Sequence, residues 1–200
     1  MFVLNTIVNR YFLLKSRLYC VFVDFEKAFD SVNHYMLYYK LIKNGLHGNL
    51  YRVLHSMYQN IKAKVRTPYG ITQTFKCLCG VQQGSILSPL LFALFIDDLE
   101  QHLEQRFVGI HVGMLRLFHL LFADDLILFS YNAIGLQRLL NDLSTYAAKW
   151  KLKVNIDKTK VMVFRKAGGL RRYEKWFYNG RRISVVSNFS YLGVKFSSSG

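Results

Sequence analysis

The sequence predicts an α+β fold, in which an antiparallel sheet packs on helices. Short apolar runs rich in aromatic and β-branched residues, typical of strands, alternate with segments whose apolar residues recur at helical spacing. Hydrophobic residues make up 52% of the 200-residue chain and aromatic residues 16%, which is enough to form a buried core. Neither an internal repeat nor a low-complexity linker divides the chain. These observations together predict one globular domain.

The first half of the chain is predicted to contain strands and short helices. In chain order these are a central strand over 18–25, helices over about 34–44 and 47–58, and a hairpin of 61–66 and 71–76 around the turn 67–70. Asp30, Ser31 and Asn33 are candidate N-caps of the first helix. Gly45 is expected to end that helix.

The second half is predicted to begin with a long helix and to end in strands. The predicted elements are a helix from Ser88-Pro89 to about Arg106, a tight hairpin of 115–122 and 126–131, a helix with a buried face, and strands over 160–164, 173–178, 181–186 and 191–196. The buried face consists of Leu136, Leu139, Leu140, Leu143, Ala147 and Trp150.

The charge balance indicates what the protein binds. The chain carries 27 Lys and Arg against 12 Asp and Glu, a net charge of +15. This surplus favours a nucleic-acid partner over an anionic membrane surface. No apolar run reaches the roughly 18 residues of a membrane-spanning helix. The apolar segment 1–14 contains Arg10, precedes Lys15 and has no cleavage site, so it is not predicted to be a signal peptide.

The three cysteines do not predict a metal site. Cys77 and Cys79 have no second Cys or His pair at zinc-ligand spacing, and Cys20 lies in the predicted central strand. We therefore expect reduced, buried thiols.

Carboxylates at two places in the sequence are the main functional signal. Asp24 interrupts an apolar strand, and Asp124-Asp125 separate two apolar runs. A buried carboxylate is normally paired, protonated or bound to a metal. Taken alone, Asp24 is equally well explained as a hydrogen-bonded core residue, and Asp124-Asp125 as ordinary turn residues.

The two acidic sites taken together favour metal-dependent chemistry. They lie 124 − 24 = 100 residues apart, each at the end of a predicted central strand. Adjacent strands would bring three carboxylates together, and hard divalent cations such as Mg²⁺ or Mn²⁺ prefer oxygen ligands. Two such ions, about 3.5–4 Å apart, assist phosphoryl transfer in many enzymes. With the positive net charge, the pattern predicts nucleotidyl chemistry on a polyanion.

Five segments resemble, in order, the motifs of non-LTR (LINE-type) retrotransposon reverse transcriptases. They are residues 21–32 (VFVDFEKAFDSV), 80–92 (GVQQGSILSPLLF), 121–126 (LFADDL), 150–164 and 191–193 (YLG). A short motif such as the Asp-Asp turn occurs by chance. The ordered combination spans about residues 1–196 and is specific.

This resemblance implies roles for individual residues. Asp24, Asp124 and Asp125 would be the catalytic metal ligands, with the carbonyl of Phe25 assisting, and two Mg²⁺ or Mn²⁺ ions would bind. Phe29, Gln83 and Gly84 would border the deoxynucleotide, with Phe29 blocking a ribose 2′-OH. Lys158 would be a proton donor to pyrophosphate. The alternatives are a core aromatic for Phe29, an ordinary loop for Gln83-Gly84 and a solvated charge for Lys158.

A basic run near the C-terminus mixes cations with aromatic residues. The cations are Arg165, Lys166, Arg171, Arg172 and Lys175, and Tyr173, Trp176 and Phe177 accompany them. The mixture suits a nucleic-acid backbone and exposed bases. A solvated strand pair with core aromatics explains it equally well.

The resemblance also implies an activity and a domain plan. The chain is expected to be a reverse transcriptase palm that uses an RNA template, a DNA primer and deoxynucleoside triphosphates. The palm would span about 18–34 and 77–164, with helices and a hairpin over 35–76 and primer-grip-like strands over 173–196. Most of the fingers and the thumb would be missing, and Gln82 stands where relatives carry Arg. A non-catalytic nucleic-acid-binding remnant and a two-metal nuclease are the alternatives.

Overall fold

The computed structural model describes residues 2–104, 109–112 and 115–199, which group into two compact units. The first, the sheet unit, contains the described residues of 1–26, 99–149 and 153–200. The second, the helical unit, contains 27–98 and 150–152.

Helices and short strands alternate along the chain. The helices are α1 (Phe2–Leu13), α2 (Ala28–Ser31), α3 (His34–Lys43), α4 (Gly48–Gln59), α5 (Leu87–Ile96), α6 (Leu99–Glu104) and α7 (Ala133–Trp150). The strands are β1 (Leu18–Val23), β2 (Lys62–Ala63), β3 (Arg66–Thr67), β4 (Gly70–Ile71), β5 (Phe75–Lys76), β6 (Ile110–Val112), β7 (Leu115–Leu117), β8 (His119–Phe122), β9 (Asp125–Ser130), β10 (Lys160–Phe164), β11 (Phe177–Tyr178), β12 (Arg181–Arg182), β13 (Ser184–Val185), β14 (Asn188–Tyr191) and β15 (Val194–Ser197).

A five-stranded sheet forms the centre of the sheet unit. Its strand order is β13-β10-β1-β9-β8, and every pair is antiparallel except β10 with β13. Strand β1 is central because its neighbours lie on both sides: Cys20 pairs with Met162 of β10 and with Phe129 of β9. The antiparallel sheet expected from the sequence is confirmed.

The core of the sheet unit lies on one face of this sheet. Side chains alternate across a strand, so Leu18, Cys20 and Phe22 of β1 share that face. They pack with the buried stripe of α1, which includes Leu4 and Ile7. All six residues of β1 are buried, so its other face is covered as well. Burial on both faces explains why the sequence of β1 is one continuous apolar run.

Helix α7 has the buried face that its spacing predicts. Leu136, Leu139, Leu140, Leu143, Ala147 and Trp150 are all buried. Apolar residues three and four positions apart lie on one side of a helix, and their burial stabilises it against the core. The helix begins beside Asn132, whose side-chain oxygen accepts a hydrogen bond from the Gly135 N–H at 2.6 Å.

The helical unit contains the predicted helices and hairpin. Asn33 caps α3, with its side-chain oxygen accepting from the Met36 N–H at 3.2 Å, and Gly45 follows the helix with φ +80°. The cap assignment was wrong for Asp30 and Ser31, which both lie inside α2. Strands β3 and β4 form the inner part of the hairpin, and β2 and β5 pair outside them.

The single helix predicted from Ser88 was wrong. The chain forms α5 and α6 on either side of Asp97-Asp98, and α5 begins at Leu87, one residue before the predicted cap. Acidic residues are unfavourable at a helix C-terminus, where the macrodipole is negative. Asp98 instead forms an ion pair with the buried Lys40 of α3. The predicted end at Arg106 lies outside the described residues.

Several predicted strands were too long. The run 191–196 crosses the turn of a hairpin formed by β14 and β15, with Leu192 and Gly193 at positive φ in the two-residue turn. The run 173–178 contains only β11, the run 181–186 divides into β12 and β13, and 115–122 divides into β7 and β8.

The cysteines and the hydropathy of the helices bear on two further expectations. The three thiols are free, and Cys20 is buried, but Cys79 is exposed, which contradicts the expectation of buried thiols for that residue. Over the described ranges, no helix combines the length and the apolar composition needed to cross a membrane.

Candidate active site

The three predicted carboxylates lie at one end of the five-stranded sheet. Val23 of β1 pairs with Leu126 of β9, so the next residue, Asp24, lies opposite Asp125 in the same register. Phe122 pairs with Asp125, which leaves Ala123 and Asp124 as the two-residue turn between β8 and β9. Two segments 100 residues apart (124 − 24) thus meet at adjacent strand ends.

The turn that presents Asp124 contains an unusual backbone conformation. Ala123 has φ +53°, in the left-handed region that favours glycine. A side-chain-bearing residue costs on the order of 1–2 kcal/mol in this region. Strained residues of this kind concentrate at functional sites.

The backbone of Asp24 is fixed by a loop that follows α7. Its N–H donates to Thr159 Oγ1 at 3.2 Å, and its carbonyl accepts from the Asn155 N–H at 2.7 Å. Thr159 is fully buried and donates its own N–H to the Asn155 carbonyl at 2.8 Å. Asn155 and Thr159, which belong to the fourth motif, therefore anchor the strand end that carries Asp24.

The electrostatics show that the carboxylates interact. Burial, followed by the charges of Asp124 and Asp24, raises the pKa of Asp125. All three residues are half-buried. Like charges held together disfavour ionisation unless a cation balances them.

The donor set fits a hard divalent cation, but the carboxylates do not converge on one point. Within the described residues, no three His, Cys, Asp or Glu side chains are grouped closely enough to hold a metal ion by themselves. Carboxylate oxygens are the donors that Mg²⁺ prefers, and Mg²⁺ sites usually take further ligands from water and substrate phosphates. The arrangement fits an ion only when other oxygens complete its coordination.

Tyr191 is a neighbour of this site whose role the sequence did not reveal. Burial and the charge of Asp125 raise the pKa of the Tyr191 hydroxyl to about 12. Its ring lies 5.5 Å from that of Phe22, on the core face of β1. The YLG motif thus has one residue next to the carboxylates; the motif and the predicted strand marked Tyr191, but neither indicated this position.

Phe25 and Lys158 also belong to the sheet unit. Phe25 is buried and forms an isolated bridge with Val154. Lys158 is exposed, and its backbone N–H donates to the Asn155 side chain at 3.2 Å. Lys158 is therefore on the loop that anchors Asp24, with its side chain in solvent.

The remaining predicted substrate residues lie in the helical unit. Phe29 packs on Phe92, with ring centroids 5.1 Å apart, and is half-buried. Gln83 is exposed and donates from Nε2 to Asp30 Oδ1 at 2.9 Å. Gly84 has φ +83° with open space where a Cβ would be, so its backbone is accessible.

Gly80 is a further constrained residue of that second motif. It has φ +93°, and a Cβ there would lie 3.1 Å from the Asp30 carbonyl oxygen. Its N–H donates to the Val32 carbonyl at 2.8 Å. A glycine is required where the second motif packs on the first.

Two of the five cations of the basic run line a cleft, and the other three do not. Arg171 and Lys175 line a large cleft of the sheet unit, together with Tyr173. Arg165 donates to the carbonyls of Gly168 and Val163, at 2.6 and 3.0 Å. The other two cations of the run, Lys166 and Arg172, are exposed and do not line the cleft.

Comparison with known proteins agrees with this geometry. The model of the family described as reverse transcriptase (RNA-dependent DNA polymerase) matches residues 4–196. The Pol polyprotein of the type-2 retrotransposable element R2DM from Drosophila melanogaster is 30% identical over 195 residues, covering 91% of this chain. The RNA-directed DNA polymerase of the mobile element jockey from Drosophila funebris is 29% identical over 180 residues, 86% of this chain.

Solved telomerases share the fold. Apo telomerase from Candida tropicalis, truncated from its C-terminal domain, aligns with a TM-score of 0.65 at 18% identity, covering 97% of this chain and 38% of that structure. Telomerase from Candida albicans, in complex with a fragment of telomeric RNA, aligns with a TM-score of 0.66 at 16% identity, covering 97% and 33%.

The antiparallel sheet with an Asp-Asp hairpin beside the end of its central strand defines a polymerase palm. The chain belongs to the reverse transcriptase family, and its relatives are RNA-directed DNA polymerases of non-LTR retrotransposons. It spans about a fifth of the length of these relatives, 18% for the R2DM protein and 19% for the jockey protein.

Proposed function

We propose that this chain is a reverse transcriptase palm that catalyses transfer of a deoxynucleotide to a primer 3′-OH. The observation that carries the proposal is the sheet register, which puts Asp24 opposite Asp125 and beside the turn that holds Asp124. The raised pKa of Asp125 supports it, because the carboxylates are close enough to affect one another. A cluster of carboxylates that binds metal ions is suited to catalysing nucleotidyl transfer.

Asp24, Asp124 and Asp125 would hold Mg²⁺ or Mn²⁺. When bound, two such ions activate the 3′-OH and stabilise the leaving oxygens of pyrophosphate. The protein's own part is positioning. Asn155 and Thr159 fix the Asp24 backbone, and the closed two-residue turn fixes Asp124. Positioned groups of this kind lower a barrier because the geometry is set before the reaction.

Residues of the helical unit would select the nucleotide. Phe29 rests on Phe92, so its ring has a fixed support from which to exclude a ribose 2′-OH. Gly84 leaves its backbone open to a substrate, and Asp30 orients the amide of Gln83. Lys158 is exposed on the loop beside Asp24, which suits a proton donor to pyrophosphate.

We infer that the substrates are an RNA template, a DNA primer and deoxynucleoside triphosphates. The names of the relatives, which describe RNA-directed DNA polymerases, support this. So does the net charge of +15, which suits two polyanionic strands.

Primer extension by the purified chain tests the proposal. The assay uses a poly-rA template with an oligo-dT primer, Mg²⁺ or Mn²⁺, and the wild type beside Asp124→Asn. We expect extension by the wild type and its loss in the variant, with unchanged template binding by fluorescence anisotropy. Equal extension by both proteins would contradict the assignment.

The two alternative functions give different results in the same assay. A nuclease would shorten the labelled primer or template in a reaction that needs Asp124. A non-catalytic remnant would bind the template in a salt-sensitive manner and neither extend nor cut it. The three carboxylates do not converge on one point in the structure. This favours the non-catalytic nucleic-acid-binding remnant as the second candidate function.

A further inference from the structure

A large cleft opens at the end of the central sheet opposite to the carboxylates. It has a volume of about 1290 Å³ and is lined by the end of α1, by Arg17 and Tyr19 at the start of β1, and by residues that follow β9. Strand β1 (Leu18–Val23) separates Arg17 from Asp24, and seven residue steps along an extended chain span roughly 23 Å. The cleft is therefore far from the site of nucleotide transfer, within the same unit.

The lining of the cleft is strongly positive. Six cations line it: Arg10, Lys15, Arg17, Arg138, Arg171 and Lys175. Among the described residues of the lining there is no Asp or Glu. Cations gathered in a concave surface repel one another and attract a polyanion.

One buried carboxylate below the lining organises this wall. Glu174 accepts from Arg17 Nη1 at 2.7 and 2.9 Å, from the Tyr19 hydroxyl at 2.8 Å and from the Arg171 N–H at 2.8 Å. Arg17 Nη2 also donates to the Gly169 carbonyl at 3.0 Å. Glu174 offsets a single charge and holds the start of β1 against the segment 169–174, so the lining stays positively charged.

Exposed aromatic rings accompany the cations. Tyr173 is 60% exposed and Tyr131 is 47% exposed, and both line the cleft. The guanidinium of Arg171 lies 5.8 Å from the ring centre of Tyr173, and its Nη1 donates to the Tyr173 hydroxyl. A held tyrosine ring beside an arginine is a stacking surface for an unpaired base.

We propose that this cleft binds a single-stranded polynucleotide, as a second site separate from the carboxylates. The cations would contact successive phosphates, and Tyr173 and Tyr131 would stack on bases. A duplex presents phosphates but keeps its bases stacked inside, so it would use the charges and not the rings. The inference goes beyond the proposed polymerase activity and does not depend on it.

Binding of short fluorescein-labelled oligouridylate and oligothymidylate tests the proposal. The test variant is Arg171→Gln with Lys175→Gln. The matched control is Arg182→Gln with Lys195→Gln, which removes the same charge from exposed cations outside the cleft. Losing two phosphate contacts should weaken binding at least tenfold and reduce the salt slope by about 1.4. The control should change Kd by less than about twofold, because only the general field falls.

Equal weakening by both pairs would overturn the proposal, because it would show general charge attraction. Unchanged binding by the cleft pair would overturn it as well. If the cleft pair loses binding only to phosphatidylserine vesicles, the cleft is a membrane-binding surface instead. A stronger effect on oligouridylate than on oligothymidylate would assign the strand as RNA, and the reverse as DNA.

Three variants separate stacking from charge and from catalysis. Tyr173→Ala should weaken oligonucleotide binding about fivefold or more, whereas Tyr173→Phe should retain it, because the ring stacks without its hydroxyl. Loss of binding in both would contradict stacking. Asp124→Asn should bind the oligonucleotides like the wild type, so failure of the polymerase proposal leaves this result unaffected.

Discussion

Asp125 and Glu174 are carboxylates of the same compact unit, and their surroundings differ. Asp125 lies next to Asp124 and Asp24, and its pKa is raised by burial and by those two charges. Burial by itself would raise the pKa of Glu174, but hydrogen bonds from the Arg171 N–H, Tyr19 and Arg17 outweigh it and lower that pKa. Asp125 is surrounded by acidic side chains, and Glu174 by hydrogen-bond donors.

This difference distinguishes a candidate ligand from a structural residue. Glu174 has its hydrogen bonds satisfied within the protein, so it stabilises the fold and holds the cationic wall. Asp125 is in a site that the fold leaves electrostatically unbalanced, and such sites are typical of functional residues. Under the two proposals, the two ends of one sheet would bind opposite partners, a cation at one end and a polyanion at the other.

The largest effect is expected from removing a charge at the carboxylate end. Asp24→Asn should reduce primer extension by about a hundredfold or more, because under the proposed function it removes one of the charges that would hold the divalent ions. The measurement is single-nucleotide incorporation on an RNA template. Glu100→Gln, which neutralises an exposed acid of the same unit, is the control and should incorporate like the wild type. A similar loss in both variants would show that total charge matters and not the site.

The next largest effect is on stability at the opposite end. Glu174→Gln should lower the free energy of unfolding by about 3 kcal/mol, because it leaves Arg17 without its buried charge partner. Chemical denaturation measures this. Because the pKa of Glu174 is lowered on folding, its contribution is present above its ordinary value of 4.5 and is lost as the pH falls through the folded pKa. The difference between wild type and variant should therefore shrink in acid; a difference that is constant with pH would contradict the role of the charge.

Asp125→Asn should act in the opposite direction and more weakly. The pKa of Asp125 is raised on folding, so the wild type loses stability as the pH rises through that pKa. Without divalent ions, the variant should unfold at a slightly higher temperature than the wild type at neutral pH and at the same temperature in acid. Mg²⁺ should stabilise the wild type more than the variant. A variant that is less stable than the wild type at neutral pH would refute the repulsion.

The smallest effect is expected at Ala123, in the turn between β8 and β9. Ala123→Gly should change the free energy of unfolding by less than about 1 kcal/mol, because relief of the positive φ is offset by the added flexibility of glycine. Gly180→Ala, in the turn between β11 and β12 where φ is +77°, should instead destabilise the protein. Thermal unfolding of both variants measures the contrast, and equal shifts would argue against strain at Ala123.

Much of this fold could be predicted from periodicity alone. The spacing of Leu136, Leu139 and Leu143 gave the correct face of α7, and the apolar run before Asp24 gave the central strand. The division of the predicted helix at Asp97-Asp98 could not be predicted, because it coincides with an ion pair between Asp98 and Lys40 in another helix. The β14–β15 hairpin was missed because Leu192 is an unusual residue for a left-handed turn position.

The sequence predicted the functional residues at one end of the sheet better than those at the other end. The carboxylate end could be predicted because Asp24 and Asp124-Asp125 interrupt apolar strands, where a charge is conspicuous. The cleft could not, because its cations come from separate segments and each resembles a solvated surface residue. Only Arg171, Lys175 and Tyr173 were marked by the basic run, and Glu174 within it was not recognised as the buried residue that organises the wall.

The central claim is that the cation-binding end of the sheet is the one that carries Asp24, Asp124 and Asp125. Substoichiometric Mn²⁺ added to the ¹⁵N-labelled chain tests it, since a paramagnetic ion broadens the amide signals nearest to it. The account predicts that the signals of Asp24, Asp124 and Asp125 broaden first, that those of Arg17 and Arg171 persist, and that Asp124→Asn reduces the effect. Uniform broadening, or broadening that Asp124→Asn leaves unchanged, would contradict it.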